Sequence, residues 1–324
     1  SRRAVLSGAA ALSTSPLWPR PAKSADWRPN ETVRIIVPAA PGGSTDVIGR
    51  YLAQHLQQSW GVTAVVENKS GGGGTIGTAY YVQQKPDGNS ILVGNPGPNA
   101  VAYSIFRSLP YKADQLQPVS NAIRIPNIIS AHPSSGIKSI KELITYLKAN
   151  PDKLNYGSAG TGTTHHLAGE LFKIVTKTRI QHVPYRGAGP AMQDLVAGHV
   201  PLVFDGLGSS APQIRSGQLR ALAVAAPKRV AAFPDVPTAA EAGVPGYEVS
   251  TWYGVFAPKK TPPAVVERMT KELQKAMQTA AIKEAWERNG SDVPDVTGPA
   301  FGAMVAAETV RWQKVVTEAG VKLD

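Results

Sequence analysis

Apolar positions along the chain fall into short continuous runs that alternate with helical stripes. Val33-Arg34-Ile35-Ile36-Val37 is a β-rich run closed by the turn-forming residues 38–43. Behind it, Val47, Ile48, Tyr51, Leu52, His55 and Leu56 recur at helical spacing, which predicts a helix over 46–60. The same alternation continues: strands at 62–67 and 90–94, a helix at 75–84, and an extended segment at 123–131 with Pro126 inside it. Ser139 followed three residues later by Glu142 is a capping box and opens a helix over 139–150. Further strands are expected at 155–158, 179–185, 202–205, 219–225 and 249–258, with helices at 164–176, 190–198 and 210–216. Two long amphipathic helices, 262–289 and 298–319, end the chain. Repeated strand–helix units with glycine-rich loops at strand C-termini imply α/β architecture with parallel sheets.

The first 25 residues stand apart from this pattern. Arg2-Arg3 and Leu6 precede a weakly apolar stretch rich in Ala, Ser and Gly, and small residues then run to Asp26. A charged start, a short apolar middle and a small-residue end predict an export signal of twin-arginine type, cleaved near 24–26. Removing its four cations lowers the formal net charge from +11 to +7. The remaining Lys and Arg are scattered and do not interleave with aromatics, so nucleic acid is not the expected partner. A mild positive field suits an anionic small molecule. No Cys is present, which excludes disulfides, thiolate nucleophiles and Cys-ligated metal. After residue 25 no apolar run is long enough to span a bilayer.

Three glycine-rich loops carry the candidate chemistry. Residues 38–46, Pro-Ala-Ala-Pro-Gly-Gly-Ser-Thr-Asp, join a strand to a helix, and two glycines there let backbone N–H groups approach an anion. Residues 68–77 contain Gly72, Gly74 and Gly77 in G-x-G-x-x-G order. No acidic residue follows at the distance a dinucleotide ribose requires, so the loop reads as one that lets helix and sheet pack closely. Residues 156–166, Tyr-Gly-Ser-Ala-Gly-Thr-Gly-Thr-Thr-His-His, bring four hydroxyls in front of a helix, a neutral donor nest suited to a carboxylate. Gly-Ser-Ala-Gly is not the G-x-S-x-G elbow of a hydrolase, which disfavours catalysis by Ser158 with His165 or His166. The two adjacent histidines point about 100° apart on a helix, against joint metal ligation, and read as capping or packing residues. Asp205 ends an apolar strand and is expected at the pocket.

The ordered motifs resemble those of the substrate-binding proteins of tripartite tricarboxylate transporters, the Bug or TctC-like family. P-x-x-P-G-G-x-x-D stands at Pro38–Asp46, E-N-x-x-G-x-G-G-x-I-G at Glu67–Gly77, L-P-Y at Leu109–Tyr111 and Y-x-S-x-G-x-G-T-x-x-H-L at Tyr156–Leu167. H-V-P-Y-x-G stands at His182–Gly187, F-D at Phe204–Asp205 and P-D-V-P-T-x-x-E-A-G at Pro234–Gly243. The resemblance runs from about Asp26 to Asp324. It implies a two-lobed periplasmic-binding-protein fold of type II-like form: two sheets flanked by helices, with two interlobe crossings near Ile125 and Val249. Lobe 1 would comprise 26–125 plus 249–324, and lobe 2 residues 126–248.

The implied function is non-enzymatic capture of a carboxylate between the lobes, with no cofactor and no metal. Delivery would be to two membrane-embedded transporter subunits, by a monomeric periplasmic protein; use of the same fold as a ligand sensor is the alternative. Gly42, Gly43 and Ser44 would face Ser158, Thr161, Gly162 and Thr163 across the ligand. Ala39, Pro41, Asn95, Gly160, His165 and Asp205 complete the expected set. Three segments depart from the family pattern: Ala39 where Phe or Tyr is common, Gly206-Leu207-Gly208 where Asn-Leu-Pro is usual, and Asn99 where His is common. The small residue at 39 predicts room for an aromatic or otherwise bulky acid.

Overall fold

The computed structural model describes residues 27–288, 290–291 and 295–322. The expected export signal lies outside the described residues. β1 (Val33–Val37) is central among three parallel strands, flanked by β2 (Ala64–Asn68) and β3 (Ser90–Gly94). Its near-continuous apolar sequence fits a strand covered on both faces. β9 (Ser250–Pro258) runs antiparallel to β3 and joins it to β4 (Leu116–Ala131). Beyond β4 lie β8 (Arg220–Val224) on one side and β7 (Leu202–Gly206) on the other, both antiparallel to it. β5 (Asn155–Ser158) then pairs in parallel with β7 and with β6 (Gln181–Pro184).

The sequence suggests an extended segment only from 123, but β4 is a single strand of 16 residues shared by both sheets. Its first part pairs with β9 from Leu116↔Pro258 to Pro126↔Ser250, and from Asn127 onward its partners are β7 and, one residue later, β8. Pro126 has no N–H to donate, so the ladder is interrupted where the partner changes. A hydrogen-bond chain ties this crossing together. Thr164 Oγ1 lies 2.8 Å from Thr251 Oγ1, which donates to Asn127 Oδ1 at 3.0 Å.

Helices cover both sheets. α1 (Ser44–Trp60) buries Ile48, Leu52 and Leu56 against the first sheet, as its apolar spacing requires. α2 (Thr75–Tyr81) is shorter than expected, and α3 (Ala102–Ile105) is a single turn. On the second sheet lie α4 (Ile140–Ala149), α5 (Thr164–Thr176), α6 (Ala188–Val196) and α7 (Leu207–Arg215). Ser139 caps α4 by accepting from the Glu142 N–H, but Glu142 reaches back to the Lys138 N–H, one residue beyond a standard capping box.

The helix expected over 262–289 is broken. α8 (Pro263–Gln278) ends at Thr279, which is extended, and α9 (Ala280–Arg288) starts anew. Thr279 Oγ1 donates to the Ala276 carbonyl, a local bond that competes with the helical ladder. α10 (Gly298–Ala319) serves both sheets: Phe301 packs with Trp252 and Phe256, while Trp312 and Val316 join the core of the second sheet with Phe172 and Tyr247. Among the described residues no helix is long and apolar enough to cross a membrane.

Candidate functional site

The loops at the C-terminal ends of β1, β2, β5 and β6 meet across a cleft of about 300 Å³. The two sides touch through backbone. Gly73 on the β2 loop has φ +63, and a Cβ there would stand 2.5 Å from the Thr161 carbonyl oxygen on the β5 loop. Gly189 in the first turn of α6 comes so close to the first loop that a Cβ would overlap the Pro41 carbonyl oxygen.

Three helix N-termini converge on this cleft. Gly43, Ser44 and Thr45 from α1, Thr164 and His165 from α5, and Gly187 and Ala188 from α6 all line it. Gly43 and Gly187 are N-caps without a side-chain cap, so the first N–H groups of α1 and α6 are left for a ligand. The aligned helix dipoles add positive potential at the same place. Among the described lining residues Arg186, exposed at the mouth, is the one charged side chain, and no carboxylate lines the cleft. Apolar and aromatic surface comes from Ala39, Phe106, Tyr185 and Tyr253.

Of the expected residues, Ala39, Gly43, Ser44, Asn95, Gly160, Thr161, Thr163 and His165 line the cleft. Pro41, Gly42, Ser158, Gly162 and Asp205 do not, and the last four are engaged elsewhere. The Gly42 N–H donates to Asp46, whose buried carboxylate also accepts from Arg50 and Asn68. Burial opposes ionisation of Asp46, yet these hydrogen bonds outweigh it and hold its pKa below the usual carboxylate range. Ser158 Oγ accepts from the Gly160 N–H and lies 2.6 Å from His182 Nε2. The Gly162 N–H donates to His166 Nδ1, and the His166 ring stacks on His182 with centroids 4.1 Å apart. Asp205 accepts from the hydroxyls of Ser209 and Ser210, at 2.5 and 2.9 Å.

The donor nest expected of the third loop is therefore largely occupied from within. Thr163 Oγ1 donates to the Gly160 carbonyl and accepts from the His166 N–H, which makes it the N-cap of α5. Thr164 pairs with Thr251. Among the loop's four hydroxyl residues only Thr161 makes no side-chain hydrogen bond among the described residues, and it faces the cleft. The two threonines should consequently separate on mutation. Thr163→Val is expected to cost about 1 kcal/mol of stability through the lost cap, measured by denaturant unfolding. Thr161→Val is expected to leave stability within about 0.5 kcal/mol, as for a surface change.

Burial keeps the histidines of this region neutral. It lowers the His166 pKa to about 4 and the His182 pKa to about 3, and lowers that of His165 against the opposing pull of Asp205. The Ser158–His182 contact pairs residues 24 apart in sequence, and Ser158, 2 % exposed, lies outside the cleft lining, so the pair holds the loop's backbone.

Sequence reasoning missed Phe106, Arg186 and Thr251 at the cleft, and treated the Gly71–Gly74 loop as packing only. Tyr185 and Tyr253 also line the cleft. Trp252, next to Tyr253 in β9, faces the opposite side of the strand and packs edge-to-face against Phe301. Residues 185–187 follow a strand immediately, and that position was the available signal for Arg186.

A model of the family described as "Tripartite tricarboxylate transporter family receptor" (TctC) matches residues 48–321. The chain belongs to this family. Protein BugT of Bordetella pertussis is 38% identical over 302 residues, covering 93% of this chain and 93% of that protein. The structure of Rpa4515 from R. palustris with adipate superposes with a TM-score of 0.88 at 34% identity, covering 92% of this chain and 99% of that one. MatC from Rhodopseudomonas palustris with bound malate gives 0.85 at 32% identity, covering 89% and 100%. The fold is that of the family's periplasmic binding proteins.

Proposed function

We propose that this receptor captures an organic carboxylate in the cleft and hands it to two membrane subunits of a tripartite transporter. The observation that carries this reading is the convergence of three helix N-termini on a cleft whose described lining residues include no carboxylate. The family membership supports the transport role, and the adipate and malate complexes of its relatives support the ligand class. The carboxylate sits between Gly43–Ser44 on one side and Gly160–Thr161 on the other. The rings of Phe106, Tyr185 and Tyr253 contact its body, which is bulky or aromatic. The protein works as a monomer in the periplasm, reached through the export signal at residues 1–25. Its lobes are 26–125 plus 249–324 and 126–248, the C-terminal helix bridging them.

A thermal-shift screen of organic acids tests the ligand class, because a molecule that binds only the folded state raises its melting temperature. Small-angle scattering with and without a saturating acid tests closure, with a smaller radius of gyration expected on binding. Arg186→Gln is expected to weaken carboxylate binding about three- to tenfold, chiefly through association rate, and to flatten its salt dependence. Equal affinity and equal salt dependence in the variant would remove Arg186 from the site.

A further inference from the structure

A second cavity, of about 590 Å³, lies behind the crossing strands. In the β4–β9 ladder Arg124 is opposite Trp252, Ile125 opposite Thr251 and Pro126 opposite Ser250. Cross-strand partners share a face and successive residues alternate. Arg124, Pro126 and Ser250, which line this cavity, therefore look away from the cleft that Thr251 and Tyr253 line. No described residue lines both. The loop after β8 and the turn after α9 form the remaining walls, and they are packed tightly together. Gly290 has φ +66, and a Cβ there would overlap Val230.

Four cations and two carboxylates line this space among the described residues. Arg229 is held by Glu241 at 2.8 Å and by the Pro234 carbonyl, and Arg311 by Glu308 at 3.3 Å and by the Glu248 carbonyl. Glu241 and Glu308 are outside the lining, and such partly exposed pairs are weak, so both guanidinium groups keep most of their field. Arg124 and Lys228 are exposed and have neither an ion pair nor a side-chain hydrogen bond among the described residues. The two lining carboxylates, Glu248 and Glu287, are ion-paired to none of the four cations. Ser291 also lines the cavity, is 7 % exposed, and its Oγ has no hydrogen-bond partner among the described residues. A buried hydroxyl left without a partner is costly and needs an explanation. Apolar wall comes from Pro126, Val230 and Val249.

We propose that this rear cavity is a second binding site, for an organic anion with an apolar body. The unpaired cations take the acidic group, and the apolar wall takes the body, the usual division of labour in a small-molecule pocket. A cationic ligand is opposed by the excess of positive charge. A bare inorganic ion leaves most of the volume and all of the apolar wall unused. The site is independent of what the cleft holds. Its cations come from β4 and α10 on one side and from the loop after β8 on the other, so a bound anion ties together segments on both sides of the point where β4 changes partners.

Fluorescence titration with anilinonaphthalene sulfonate tests this, with phenylnaphthylamine as the same ring system lacking the sulfonate. The folded wild type is expected to show a saturable component that binds the sulfonate about tenfold or more tightly than the neutral amine. Arg124→Gln combined with Lys228→Gln is expected to bring the two probes within about threefold of each other. Both residues are exposed, so the melting temperature of this variant is expected to be that of the wild type. Arg186→Gln, at the mouth of the cleft, is expected to leave the component in place. Absence of a saturable component, equal affinity for the two probes in the wild type, an undiminished preference in the double variant, or loss of the component in Arg186→Gln would each overturn the rear site.

Discussion

Gly189→Ala is expected to lower ligand affinity about 100-fold or more while leaving the unliganded protein at least as stable as the wild type. Gly189 sits in the first turn of α6 with an ordinary helical backbone, where alanine is tolerated and is the better helix former. The obstacle lies across the cleft, where the new methyl would overlap the Pro41 carbonyl oxygen. Only the arrangement with both sides of the cleft in contact is penalised. A ligand held from one side loses the hydrogen bonds of the other, and two such bonds to a carboxylate are worth about 3 kcal/mol or more, or at least two decades in affinity. Titration calorimetry supplies the affinity and small-angle scattering the shape: the variant should keep its unliganded radius of gyration in the presence of the acid. Wild-type affinity would mean that ligand is held without the contact between Pro41 and Gly189. Gly73, with its positive φ, is a poorer test, because alanine there is strained within its own loop as well.

Stability is expected to rise steeply with pH between about 4 and 6.5. Burial depresses the pKa of His165, His166 and His182, the second to about 4 and the third to about 3. In the unfolded chain each histidine returns to a pKa of about 6.5. Between the folded and unfolded values the unfolded state carries the extra protons. Stability is therefore complete above the unfolded pKa and is lost as pH falls toward the folded ones. Each histidine contributes up to about 1.4 kcal/mol per pH unit within that window. Asp46, Glu67 and Glu272, whose pKa values are held down by their partners, act in the same direction only at lower pH, so the interval from 5 to 6.5 belongs to the histidines. Denaturant unfolding at stepped pH measures the slope, and His182→Gln should reduce it by one histidine's share. A flat profile between pH 5 and 6.5 would show that these rings are not held neutral. The same protonation would take from the Gly162 N–H its acceptor on His166, so the third loop is the first part of the site to be affected.

Much of the frame was legible from short-range signals. The apolar runs at 33–37, 90–94 and 202–205, the helical stripe of 46–60 and the Ser139 cap mark their elements within a residue or two, because periodicity and capping are local. Glycine-rich loops directly after those strands mark where a cleft forms, since strand C-termini in such sheets carry the exposed backbone N–H groups. The ends of elements were less readable. Nothing local announces that β4 continues from Leu116 through Pro126 to Ala131, because the pairing that sustains it comes from β9, more than a hundred residues on.

The polarity of the loops was readable from the chain alone; which of their groups face the ligand was decided by the tertiary structure. Ser158 and Thr161 look equivalent in Gly-Ser-Ala-Gly-Thr-Gly-Thr. Packing turns the first toward His182 and leaves the second in the cleft. Arg186 becomes the charge at the mouth only once β6 is laid beside β5. Gly189 acquires its meaning from a carbonyl oxygen in the first loop. A backbone conformation is chosen largely by a residue and its near neighbours, whereas a hydroxyl, a ring nitrogen or a missing methyl takes its role from whatever the fold brings within 4 Å, and in this protein those partners come from distant parts of the chain.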